Sequence, residues 1–149
     1  MKSINSTSRR PHPFLTGLMI AALAVPGAAF AVDTHLEQAI AQGKHLFTHP
    51  SFGGNGRDCQ SCHSAGGTTA GKLPNGKVIP SLNNAAAIFP RYSARQHKVI
   101  QLSDQVRSCI VNAIHGTPPA YGSDQLNALV SYLTSLSQGK PIDMGGKPK

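Results

Sequence analysis

Cys59-Gln60-Ser61-Cys62-His63 is the stretch on which the rest of this 149-residue chain turns. It is C-x-x-C-H, the attachment signature of c-type haem. Two thiols at this spacing meet neighbouring vinyl groups on one porphyrin edge as thioethers. The histidine that follows swings beneath the iron as an axial nitrogen ligand. Other uses of paired cysteines need surroundings that this sequence lacks. A thioredoxin-like redox pair needs a βαβ pattern around it. A zinc site needs a second C-x-x-C or a histidine pair to complete four ligands. The single motif predicts one haem c, with its iron, attached through Cys59 and Cys62 and ligated by His63.

Outward from the motif, residues 51–84 are rich in Gly, Asn and Pro, a composition that gives turns rather than a packed element. A loop wrapped around a large apolar cofactor fits it. Helical periodicity appears on both sides. Leu36, Ile40, Gly43 and Phe47 predict a helix over 34–48, which Pro50 prevents from continuing. Gly43 weakens that helix, so a small residue there implies another helix crossing close by. Val106, Cys109, Ile110, Ala113 and Ile114 predict a second helix over 104–115, with Ser103 as N-cap and Gly116 just past its end. Leu126, Leu129, Val130, Leu133 and Leu136 predict a third from Ser123, its N-cap, to about Ser137. The tail after Lys140 reads as loose. The expected architecture is all-α: a small cytochrome c-like fold, its terminal helices packed on each other around one covalently bound haem.

The first 31 residues read as a secretory signal peptide. Lys2, Arg9 and Arg10 form a basic start, Phe14 to Val25 a short apolar run, and Ala29-Phe30-Ala31 a cleavage site. Pro26 and Gly27 break the apolar run short of the roughly 20 residues that span a bilayer, so no stable membrane anchor is expected. Residues 32–149 then form a single domain in the periplasm, where c-type haem attachment is at home. Setting aside the three basic residues of the signal leaves 11 basic against 6 acidic, a net charge of +5. That balance suits an acidic partner or an anionic substrate. No basic run with interleaved aromatics points to nucleic acid.

The ligand on the far side of the iron is less plain. Met144 lies in a Gly/Lys/Pro tail beyond the last helix. His97 and His115 are candidates, with His35, His45 and His49 behind them. Cys109 is an unpaired cysteine on the apolar face of a short helix, in a chain with an odd cysteine count. It is either a small buried hydrophobe or an iron ligand, a thiolate stabilised by the metal charge. On the residues alone Cys109, His97 and His115 stand side by side.

Beyond the haem motif, Gly43-Lys44-His45-Leu46-Phe47, Pro90-Arg91-Tyr92-Ser93-Ala94-Arg95, the stretch from Leu102 to Cys109, Ile114-His115-Gly116 and Ala128 to Leu133 form a second pattern. In these the chain resembles the haem domain shared by thiosulfate dehydrogenases and by the sulfur-oxidation cytochrome that joins thiosulfate to a carrier protein. The resemblance covers most of residues 32–149, and the series Tyr92, Arg95, Cys109, Gly116 is its more specific part. It implies a His/Cys ligand pair, His63 and Cys109, with Cys109 at the reacting centre. It also implies that Arg95 helps bind the thiosulfate anion, as a guanidinium fork does for oxyanions. The chain departs from the family at Gln105, where an arginine is usual four residues before the ligand cysteine; Arg107 points to another face of the helix. Family dehydrogenases also carry a second haem domain, whereas this sequence holds one C-x-x-C-H.

Three functions are compatible with these residues. The first is a periplasmic monohaem cytochrome that transfers electrons to a redox partner protein in inorganic sulfur-compound oxidation. The second is a thiosulfate dehydrogenase forming tetrathionate, or its catalytic subunit, handing electrons to a second cytochrome. The third is a gas-binding sensor. The enzyme needs Arg95, and ideally Lys98 or Arg107, on the Cys109 side of the haem; the carrier does not.

Overall fold

The computed structural model describes residues 34–149. The signal peptide expected over 1–31 lies outside them. Helix α1 runs Thr34–Thr48 and helix α3 Asp124–Ser135. Their contact is the largest between any two elements. The expected pairing of terminal helices is therefore present, and its closeness has a sequence cause. A Cβ on Gly43 would collide with the Ala128 carbonyl and the Tyr132 side chain. Phe47 then meets Tyr132 edge-on, ring centroids 5.5 Å apart. Tyr132 Oη donates to the carbonyl of Gly66 at 2.6 Å, which ties the loop after the haem motif to α3. Ser123 caps α3 as expected, its Oγ accepting the Leu126 N–H. Leu126, Leu129 and Leu133 are buried, and so are Ala128 and Tyr132 beside them.

The fold is not purely all-α, contrary to the sequence expectation. Two small antiparallel sheets interrupt the helices. Strand β1 (Gly71–Lys72) pairs with β2 (Val78–Ile79), and β3 (Arg91–Ser93) with β4 (Lys98–Ile100). Strands of two or three residues are too short to show an alternating pattern, and the turn-forming residues around them hide them further. The second hairpin sets Arg91 opposite Ile100, Tyr92 opposite Val99 and Ser93 opposite Lys98. Ile100 is buried, whereas Tyr92 and Val99 are exposed.

Helix α2 spans Leu102–Cys109 and starts earlier than expected. The cap is Gln101 rather than Ser103. Its side chain accepts an N–H of the first turn, and Asp104 Oδ2 accepts the Gln101 N–H at 2.8 Å, a capping box. Beyond Cys109 the chain widens into a π-helical turn, Ile110–Ile114, and ends with His115 in the left-handed region at φ 59°. The extra residue per turn rotates the face: Val106, Ile110 and Ile114 stay buried, but Ala113 turns to solvent.

The tail after Lys140, expected to be loose, folds back over residues 84–88. The N–H groups of Asp143 and Gly145 donate to the carbonyls of Ala87 and Ile88, at 2.8 and 3.1 Å. Asn84 Nδ2 donates to the Lys147 carbonyl at 3.0 Å, and the Lys149 N–H returns to Asn84 Oδ1 at 3.1 Å. One buried asparagine thus fastens a polar segment that carries no hydrophobic signal of its own.

Candidate haem site

The motif forms one tight turn. The N–H groups of Cys62 and His63 both donate to the Cys59 carbonyl, at 3.3 and 3.1 Å. Asp58 Oδ1 accepts the Ser61 N–H at 2.7 Å and holds the start of that turn. The Gln60 N–H donates to Phe47 O and its Nε2 to Thr48 O, which pins the turn to the end of α1. Glycine is required at 71, where a Cβ would strike the Cys62 carbonyl.

A cavity of about 610 Å³ opens beside the turn. Cys59 and His63 line it from the motif, Gln105, Ser108 and Cys109 from α2, and Leu129 and Leu133 from α3. The β3–β4 hairpin contributes Arg91, Arg95 and the residues between them. The lining is largely apolar with a few converging polar groups, the usual character of a cofactor site. Burial pushes the Cys59 thiol up to about 12, helped by the neighbouring Cys109, Asp58 and Cys62. Burial also lowers His63 below the ordinary imidazole value, with the Pro80 carbonyl opposing it weakly. The ring is therefore kept neutral, the form that ligates a metal. Its Nδ1 is buried, and the Pro80 carbonyl does not complete a hydrogen bond of normal geometry to it.

The other candidates are placed elsewhere. His97 and His115 do not line this cavity, nor does Met144, which is 67 % exposed. His45 and His49 stack on each other at the end of α1, centroids 4.2 Å apart. Arg107, on its own face of α2, donates through Nη1 to the Pro119 carbonyl and lies over the Tyr121 ring at 4.3 Å. Lys98 does not reach the cavity lining. Arg95 does, and so does Arg91, to which sequence reasoning gave no role. The one signal that could have found Arg91 is its place between Pro90 and Tyr92, four residues before Arg95.

Residues 42–142 match the SoxA/TsdA cytochrome c domain. The chain belongs to that family. Thiosulfate dehydrogenase of Allochromatium vinosum is 32% identical over 130 residues, 81% of this chain and 46% of the relative. The thiosulfate dehydrogenase of Psychrobacter arcticus is 28% identical over 79% of this chain and 36% of its own length. The chain thus spans between a third and a half of these curated relatives. Among solved structures, thiosulfate dehydrogenase TsdBA of Marichromatium purpuratum superposes with a TM-score of 0.61 at 20% identity, over 74% of this chain and 25% of that one. At that identity the likeness is one of fold.

A SoxA/TsdA cytochrome c domain carries covalently bound haem c with its iron. The residues present fit that group. Two thiols and a neutral imidazole stand on one turn at the attachment spacing, beside a mainly apolar cavity whose lining also holds a third sulfur.

Proposed function

We propose that the chain is an exported monohaem cytochrome that transfers electrons in the oxidation of inorganic sulfur compounds. Cys59 and Cys62 would hold the haem as thioethers, and His63 and Cys109 would ligate its iron. Residues 1–31 are the signal peptide, residues 32–149 the single domain, and the periplasm its location. Among the described residues no helix is long and apolar enough to cross a membrane. The observation that carries the reading is the shared cavity, which brings Cys109 to the same space as Cys59 and His63 although 46 residues separate it from His63.

The bound haem supplies a one-electron iron couple. The protein supplies the rest. Burial keeps His63 neutral for ligation, and Leu129 and Leu133 give the cavity an apolar wall on the α3 side. A metal-bound thiol is held as thiolate, which strongly favours ferric iron and gives a low potential. The net positive charge draws an acidic redox partner to the site.

A second reading is favoured by Arg95, which lines the same cavity as Cys109. In it the chain is a thiosulfate dehydrogenase or the catalytic subunit of one. Two thiosulfate anions lose two electrons and join through a new S–S bond as tetrathionate. Arg95 holds the anion near Cys109. The chain would pass the two electrons on singly, and a second cytochrome would accept them.

Low-temperature EPR of the ferric protein and of Cys109→Ala tests both. The expected result is a low-spin thiolate signal that the substitution abolishes, after which thiosulfate is assayed with an artificial acceptor. Turnover with thiosulfate selects the enzyme, and its absence the carrier. An unchanged EPR signal removes Cys109 from the iron and ends both readings in this form.

A further inference from the structure

Sγ of Cys109 accepts a hydrogen bond from Nε2 of Gln105, one helical turn earlier on α2, at 3.3 Å. A carboxamide can present either its oxygen or its NH2 group to a neighbour, and here a third residue decides which. Arg91 Nη2 donates to Gln105 Oε1 at 3.2 Å. A guanidinium has only donors, so it cannot serve the NH2 end. The oxygen must face Arg91, and the NH2 group is left for the sulfur. Arg91 is itself confined. It belongs to β3, where it pairs with Ile100, and its guanidinium lies 4.9 Å from the centre of the Phe89 ring. Its Nε is buried and has no hydrogen-bond partner among the described residues, so Gln105 is its defined contact on the α2 side.

We propose that Arg91 and Gln105 form a relay that keeps a hydrogen-bond donor on the sulfur of Cys109 and so raises the reduction potential of the iron. The inference rests on the proposed ligation of the haem iron by Cys109. A thiolate stabilises ferric iron by giving it electron density. A donor on the sulfur draws part of that density away, which weakens the ferric state relative to the ferrous one. The site is partly shielded from water, where such a bond acts more strongly than in solvent. Both residues act through Cys109 and are positioning residues. The hairpin thereby gains a role apart from substrate: it supplies the cation that orients an amide on a helix. Without Arg91 the amide is free to turn its oxygen toward the sulfur, which repels a thiolate.

The test is a mediated redox titration of the haem-loaded protein, parent against Gln105→Leu, Gln105→Glu and Arg91→Lys, with EPR of Cys109→Ala alongside. Gln105→Leu changes no charge and removes the donor. At a fixed ambient potential near the midpoint its ferrous-to-ferric ratio is expected to fall about tenfold, which for one electron is about 59 mV. Arg91→Lys keeps the charge and loses the planar fork, so a smaller fall in the same direction is expected. Gln105→Glu is nearly isosteric and pairs with Arg91 while offering the sulfur no hydrogen. Its ratio also falls, with the added negative charge contributing, so the charge-conserving Arg91→Lys provides the reading if Gln105→Leu does not load haem, and an Arg91→Lys ratio equal to the parent's then overturns the relay. A Gln105→Leu ratio within threefold of the parent, with the thiolate signal lost in Cys109→Ala, overturns the relay and leaves the ligand assignment standing. A thiolate signal that survives in Cys109→Ala overturns both.

Discussion

Asp104 shows how much one half-buried side chain can organise. Its carboxylate accepts the Gln101 N–H and, through Oδ1, the hydroxyl of Tyr121 at 2.6 Å. Those two bonds, the backbone one first, hold its pKa below the ordinary carboxylate value. A depressed folded value means stability that is present above the unfolded pKa and lost as pH falls through the folded one. Asp104→Ala should therefore cost stability at pH 7 and much less at pH 3. The carboxylate stands in water, so the difference is expected to be under about 1 kcal/mol. Guanidinium unfolding of the haem-loaded protein at both pH values measures it, and an equal cost at both would remove the ionic part of the cap. Gln101 as the cap was not legible beforehand, because Ser103 is the better capping residue by type. The winner was set by where β4 delivers the chain into α2.

At the scale of elements, the crossing of α1 and α3 was legible from one residue. A glycine inside an apolar helical stripe has little reason to be there unless a partner backbone takes the space. The sign of Gly43→Ala tests this sharply. In an isolated helix the change would stabilise by about 1 kcal/mol. Here the new methyl meets the Ala128 carbonyl, so a net loss of about 1–3 kcal/mol is expected. Calorimetry should show a melting point lower by about 5–10 °C. A rise instead would mean that the helices part without cost. The hairpins were not legible, since pairs as short as Gly71–Lys72 with Val78–Ile79 carry no period. Nor was the π-helical turn after Cys109, which turns Ala113 outward although its spacing places it on the apolar face.

For the whole molecule the decisive quantity is the cavity. The space of about 610 Å³ is lined mainly by apolar side chains, and an attached haem would cover that surface from water. If haem is attached as proposed, replacing Cys59 and Cys62 together by alanine removes it and is expected to abolish cooperative thermal unfolding. Near-UV circular dichroism should lose its fixed side-chain signals in the same variant. A cooperative transition within about 10 °C of the haem-loaded protein would show that the helices support the fold unaided.

The cofactor motif, three helical stretches and the closeness of two of them can be read along the chain. Each is written locally, in a five-residue spacing, a 3.6-residue period or a glycine on an apolar face. Which distant residues share the candidate haem cavity depends on packing between elements. Arg91 and Arg95 reach it from a hairpin with no legible period, while Arg107, nearer to Cys109 in sequence, is held by Pro119 and Tyr121 instead. The tail also takes its place only in three dimensions, through Asn84. A polar segment held by backbone hydrogen bonds leaves no hydrophobic pattern behind, so nothing along the chain announces where it docks.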